Sequence, residues 1–147
     1  MERPLGELRL CAVLLDGTPF KNHQMIVALG IGCDGEKMVL GLREGGTENG
    51  TVVGALLSDL LERGLDFSAP WLYVLDGGKA LHTAVRRHAG ECAFIRRCQV
   101  HKKRNVLDHL PEGYKASIGR KLQTAYSMAD YADAKGALER LHHELSV

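Results

Sequence analysis

The chain has 147 residues, 45% of them hydrophobic and 25% charged, an ordinary balance for one globular domain able to bury its own core. No apolar run reaches the roughly 18–20 residues that a membrane helix needs, and the opening MERPLGELRL lacks the basic-then-apolar order of a secretory signal, so no membrane partner is expected. The net charge of +1 averages three unlike blocks: residues 1–78 carry 6 Lys/Arg against 11 Asp/Glu, residues 79–121 carry 11 against 3, and residues 122–147 carry 2 against 4.

Leu8 to Leu15 (LRLCAVLL) is a nearly continuous apolar run that stops at Asp16-Gly17, which reads as a buried central strand. Gln24 to Gly32 is a second strand. Cys33-Asp34-Gly35-Glu36 is a tight turn and Lys37 to Leu42 the returning strand, because Asp-Gly readily takes the positive-φ conformations of a hairpin. The chain therefore opens with a three-stranded antiparallel meander. Val52, Val53, Leu56, Leu57, Leu60 and Leu61 recur at helical spacing, which predicts an amphipathic helix over 49–63 with Thr47 or Asn49 as its cap, Glu44 and Glu48 favouring its positive N-terminal end, and Gly64 at its C-terminal end.

Trp71 to Leu75 (WLYVL) is a fourth apolar strand, and it too runs into Asp-Gly, at Asp76-Gly77. Gly78 to Ala89 reads as a helix, Ala93 to Arg97 as a short fifth strand, and Gln99 to Leu110 as a further helix ended by Pro111-Glu112-Gly113. Residues 114–146 carry a long helical pattern that Met128-Ala129-Asp130 interrupts, with Asp130 capping the second part. A meander followed by strands alternating with helices implies an α/β fold, a mixed sheet covered on both faces. The four cysteines (Cys11, Cys33, Cys92, Cys98) are scattered and form no disulfide-like framework, so a reducing, cytoplasmic setting is expected.

Asp16 and Asp76 occupy matching places, each closing an apolar strand and each followed by glycine. Carboxylates at neighbouring strand ends can converge on a divalent cation, and hard cations such as Mg²⁺ prefer such oxygen ligands. Asp-Gly is also plain turn chemistry, and Asp34-Gly35 reads as only that. A haloacid-dehalogenase-type phosphatase would need a second aspartate two residues after the first, where Thr18 stands. Cys98 and His101 have the three-residue spacing of half a zinc site, but no cysteine follows to supply the other half.

Arg96 and Arg97, with Lys102, Lys103 and Arg104, concentrate the charge of the basic block around that motif. Such residues neutralise phosphates in the sequence-independent part of DNA binding. With no aromatics interleaved for stacking, backbone contact with duplex DNA fits better than single-strand binding. A solvated helical face is the plainer reading of the same charges. His23, His82 and His88 read as surface or helix residues.

The segments LLDGTPFKNH, ALGIGCDGEKMVLGLREGGTEN, LYVLDGGKAL and RRCQVHKKRNVLDHLP together resemble the catalytic region of Mutator-type transposases of bacterial insertion sequences, in the family's order and over nearly the whole chain. The resemblance implies a ribonuclease-H-like fold, a DDE active site and strand cleavage and joining that depends on Mg²⁺ or Mn²⁺. It makes Asp16 and Asp76 the first two catalytic, metal-holding acids, and Cys98 and His101 the family's Cys-x-x-His signature. Residues 1–110 become a partial catalytic core and 111–147 the start of a helical insertion. The third acid is expected beyond that insertion, and Glu139 and Glu144 fall too early to serve as it. The implied partners are DNA, as element ends and target, and a second copy or full-length transposase. Lys79, Arg97, Lys102, Lys103 and Arg104 are the expected DNA contacts. Alone, the chain is expected to be inactive for want of the third acid. The alternative is a non-catalytic remnant that binds DNA or pairs with transposase.

Overall fold

The computed structural model describes residues 3–146. These form two compact units, Met1–Cys98 and Gln99–Val147. The first holds strands β1 (Leu10–Phe20), β2 (His23–Gly32) and β3 (Lys37–Glu44), helix α1 (Gly50–Glu62), strand β4 (Leu72–Leu75), helix α2 (Lys79–Ala89) and strand β5 (Phe94–Arg97), with a single 3₁₀ turn before β5. The second holds helices α3 (Gln99–Asp108), α4 (Glu112–Tyr126) and α5 (Tyr131–Leu145). Helix α3 thus belongs to the same compact unit as the helices that follow it.

The five strands form one mixed sheet in the order β3-β2-β1-β4-β5. The first three pair antiparallel, as the meander predicts, and β4 pairs parallel with both β1 and β5. At the β2–β3 turn Gly35 takes φ +85° and Asp34 Oδ1 accepts from Glu36 N at 3.0 Å, the turn chemistry that Asp-Gly supplies. Asn49 rather than Thr47 caps α1, accepting from Thr51 N at 3.1 Å and Val52 N at 3.3 Å.

β1 departs from expectation. It does not stop at Asp16 but continues to Phe20, paired with β2 as far as His23. Gly17 and Pro19 look like strand breakers, yet β4 pairs with β1 only as far as Leu15. Beyond that point one side of β1 is an edge, where a residue without an N–H is tolerated. Asp16 therefore lies inside a strand, at the level where its parallel neighbour gives out.

Val13, Leu15, Ile26, Ala28, Leu40, Tyr73 and Leu75 are buried on one face of the sheet, in one core with Val53, Leu56, Leu57 and Leu60 of α1 and Leu81, Ala84 and Val85 of α2. The opposite face is not covered as the α/β pattern led one to expect. The register pairs Leu29 with Val39, Val27 with Leu42 and Leu72 with Phe94 on that face. Val39 is 47%, Leu42 42%, Leu72 39% and Phe94 56% exposed. Both helices that follow strands in this unit pack on the same side, so strand–helix alternation alone did not decide the layering.

One polar network ties α1 to the sheet. Arg63 Nη1 donates to Leu40 O at 2.7 Å and to Asp59 Oδ2 at 3.0 Å, while Arg43 Nη2 lies 3.1 Å from Asp59 Oδ1. Desolvation pushes the Asp59 carboxyl up, but the Arg63 hydrogen bond and the Arg43 charge outweigh it and hold the group below its ordinary 3.8. A depressed carboxyl pKa contributes stability that is complete above the unfolded value and is lost as pH falls through the folded one. Asp59→Asn is therefore expected to destabilise the chain at neutral pH in urea titrations. The difference from wild type should close as the pH drops below 3.8; a gap that stays constant down to that acid range would show that the ion pairs contribute nothing.

In the second unit, Ile118 and Leu122 of α4 and Leu141 of α5 form a small core of their own. Asp130 caps α5, accepting from Asp133 N at 2.9 Å, as its place after Met128-Ala129 predicts. No helix among the described residues is long and apolar enough to cross a membrane.

Candidate active site

Leu15 of β1 and Leu75 of β4 are register partners on adjacent parallel strands. Asp16 and Asp76 are the next residues along, one step past the last pair of the β1–β4 ladder. Both are partly buried. The Asp76 side chain turns back toward α2: its Oδ1 accepts from Gly78 N at 2.8 Å. That bond occupies an amide at the start of a helix whose cap residue, Gly78, has no side chain to do so.

The loop before α1 reaches the same place. A Cβ built on Gly17 would lie 3.0 Å from Thr47 Cγ2 and 3.6 Å from Asp76 Oδ2. One built on Gly78 would lie 3.2 Å from Glu48 Oε1 and 3.3 Å from Asp76 Oδ1. The two glycines thus leave the room in which Asp76, Thr47 and Glu48 meet. Sequence reasoning assigned Glu44, Thr47 and Glu48 to helix capping and dipole chemistry. Only the fold brings Glu48 beside Asp76, across 28 residues of chain, and no local signal announces it.

Arg97, the last residue of β5, lays its guanidinium over Gly77: a Cβ there would lie 2.6 Å from Nε and 2.8 Å from Cζ. Lys79 opens α2 and is exposed. So Asp16, Asp76, Lys79 and Arg97 all belong to the carboxyl ends of β4 and β5 and the adjoining part of β1. Cys98 follows directly, its N–H donating to Leu75 O at 2.7 Å.

The remaining expected residues belong to the second unit. His101 is partly buried on α3, and Lys102 and Arg104 are exposed. Lys103 Nζ donates to Gln123 Oε1 at 3.0 Å, which ties α3 to α4. Glu144 pairs with Lys121 at 2.6 Å and Glu139 with Lys135 at 3.6 Å.

Among the described residues, no three His, Cys, Asp or Glu side chains cluster closely enough to enclose a metal ion. Cys98 and His101 accordingly gain no further zinc ligands. Carboxylate oxygens alone, as Asp16 and Asp76 offer them, suit a hard cation such as Mg²⁺, which is commonly held by one or two carboxylates and completed by water and substrate phosphate.

The family model described as Transposase, Mutator family matches residues 2–147. The transposase for insertion sequence element ISRM5 of Rhizobium meliloti is 32% identical over 117 residues, covering 80% of this chain and 29% of that protein. The transposase for IST2 of Acidithiobacillus ferrooxidans is 30% identical over 115 residues, 78% of this chain and 38% of the relative. The transposase for IS905 of Lactococcus lactis is 31% identical over 145 residues, 94% of this chain and 36% of the relative. The chain spans about a third of the length of the curated relatives it matches. With a family match running over essentially its whole length, the chain belongs to the Mutator family of transposases.

Proposed function

We propose that this chain supplies two carboxylates of a ribonuclease-H-like DDE centre, Asp16 and Asp76, for metal-dependent cleavage and transfer of DNA strands at the ends of an insertion sequence and at its target. The observation that carries the reading is the β1–β4 register, which makes the two aspartates neighbours just beyond Leu15 and Leu75. The meander followed by parallel strands supports the ribonuclease-H-like assignment. Residues 1–110 would then be part of the core, and 111–147 the start of the helical insertion. Such work on DNA belongs to the cytoplasm.

Bound Mg²⁺ or Mn²⁺ would activate the attacking oxygen and stabilise the leaving one. The chain's own residues orient the substrate. Asp76, fixed by the Gly78 amide, presents its second oxygen toward the site. Arg97 and Lys79 neutralise backbone phosphates beside it, and Lys102, Lys103 and Arg104 add duplex contacts on α3. Cys98 and His101 would stand as the family's Cys-x-x-His signature.

A second reading, a DNA-binding or transposase-pairing chain without catalysis, draws on the exposed apolar residues of the sheet. The uncovered apolar face of the sheet would give pairing with a second copy or with full-length transposase a surface.

Calorimetry with Mn²⁺ on the wild type, Asp16→Asn and Asp76→Asn separates these. Binding in the wild type that is lost in both variants is the expected outcome. No binding in the wild type would rule out a metal half-site in this chain. Two carboxylates hold a cation less well than three, so the isolated chain should give little or no strand transfer. Mg²⁺-dependent cleavage that vanishes in Asp76→Asn would overturn that expectation and leave the catalytic reading alone.

A further inference from the structure

A cavity of about 540 Å³ opens beside the candidate centre, at the β5 edge of the sheet. Leu75 and Ile95 supply its apolar floor, and Gly77 opens its rim. Its polar lining is Lys79, His82 and Thr83 from α2 with Arg96 and Arg97 from β5, and no acid lines it. Lys79 and His82 lie three apart on one helix face, and Arg97, on the same strand face as Ile95, meets them from β5, so charge reaches the cavity from both walls. The volume falls in the range of small-ligand sites.

The side chains differ in how they are held. Arg96 Nη1 donates to its neighbour Ile95 O at 2.9 Å. Arg97 is packed over Gly77. The side chains of Lys79, His82 and Thr83 make no hydrogen bond or ion pair to any described residue, and His82 and Thr83 are exposed on the α2 wall. Three donors from one helix and one guanidinium group from the strand, with no carboxylate lining the cavity, make a seat for an anion that brings several acceptor oxygens.

We propose that this cavity seats a backbone phosphate of duplex DNA, one that flanks the bond presented to Asp16 and Asp76, with His82 and Thr83 as contact residues beside Lys79 and Arg97. The identity of the anion rests on the transposase reading. The seat itself rests on the cavity and its charges. Asp76 already takes the Gly78 amide, so the helix terminus is not what binds. The side chains are.

The test is binding of a short fluorescent duplex to the full chain in EDTA, over a series of salt concentrations. Lys79→Ala/His82→Ala is expected to weaken binding about tenfold at low salt and to flatten the slope of log affinity against log salt by about one. Thr83→Glu, which puts an acid into the seat without removing a base, should weaken binding similarly. Lys37→Ala/Lys135→Ala, exposed lysines outside the cavity, should leave the slope nearly unchanged. Equal affinity and slope in wild type, Lys79→Ala/His82→Ala and Thr83→Glu would overturn the proposal. So would a cavity that inorganic phosphate or a nucleoside monophosphate fills as readily as duplex, since a free anion would then be its ligand. EDTA keeps metal out of the measurement, so a failed Mn²⁺ titration would sink the metal reading and leave this one standing, and the reverse.

Discussion

Replacing Leu56 with alanine is expected to lower the unfolding free energy by about 3 kcal/mol, within the roughly 2–5 kcal/mol typical of a buried leucine truncated in a packed core. Leu56 is fully buried on α1 and sits in the main core with Leu57 and Leu60. It also meets the sheet where the sheet has least bulk: a Cβ on Gly41 of β3 would lie 2.9 Å from Leu56 Cδ1 and 3.1 Å from Leu60 Cδ2. The glycine lets the helix approach, and the leucine fills what the glycine leaves. Truncation therefore opens a void that the backbone cannot close without moving α1, and α1 carries the Asn49 cap and the preceding Thr47-Glu48 loop to the candidate site. Urea titration should show a lower midpoint at an unchanged slope. A loss under about 1 kcal/mol would mean that α1 settles onto the sheet freely and the contact is loose.

Much of this arrangement was legible in the sequence. Apolar runs ended by turn residues marked the meander, helical spacing marked α1 and α2, and Met128-Ala129-Asp130 marked the break between α4 and α5, because each of those signals is local: Asp34-Gly35 in a turn, Asn49 and Asp130 as caps. The two aspartates stood out for the same reason, each closing or interrupting an apolar run. What the sequence could not give was long-range. Gly17 and Pro19 read as a strand end, and only the early stop of β4 explains how β1 continues through them. Glu48 reads as helix-start chemistry until the fold sets it near Asp76. His82 reads as a surface histidine until β5 closes the other wall of the cavity. The coverage of the sheet was also beyond local reading, since the alternation of strand and helix says that a helix must pack but not on which face.

Gly77→Ala should damage both the fold and the site, by two separable routes. Gly77 has φ +103°, where a residue with a Cβ is strained by roughly 1–3 kcal/mol. The added methyl would also lie 2.6–2.9 Å from three atoms of the Arg97 guanidinium. That group is the far end of a flexible chain and can swing away, so the steric part falls on position rather than on stability. The variant is therefore expected to lose about 2 kcal/mol in urea titrations, nearly all of it strain. It should also bind duplex DNA with a salt slope shallower by about one, as expected for Arg97→Ala too, because the displaced cation no longer meets its phosphate. Combining the two substitutions separates the routes. In the Arg97→Ala background Gly77→Ala should still cost its full strain energy but change DNA binding no further. If instead the two changes in DNA binding add, Arg97 does not act from its place over Gly77, and the guanidinium there is packing rather than part of the DNA contact.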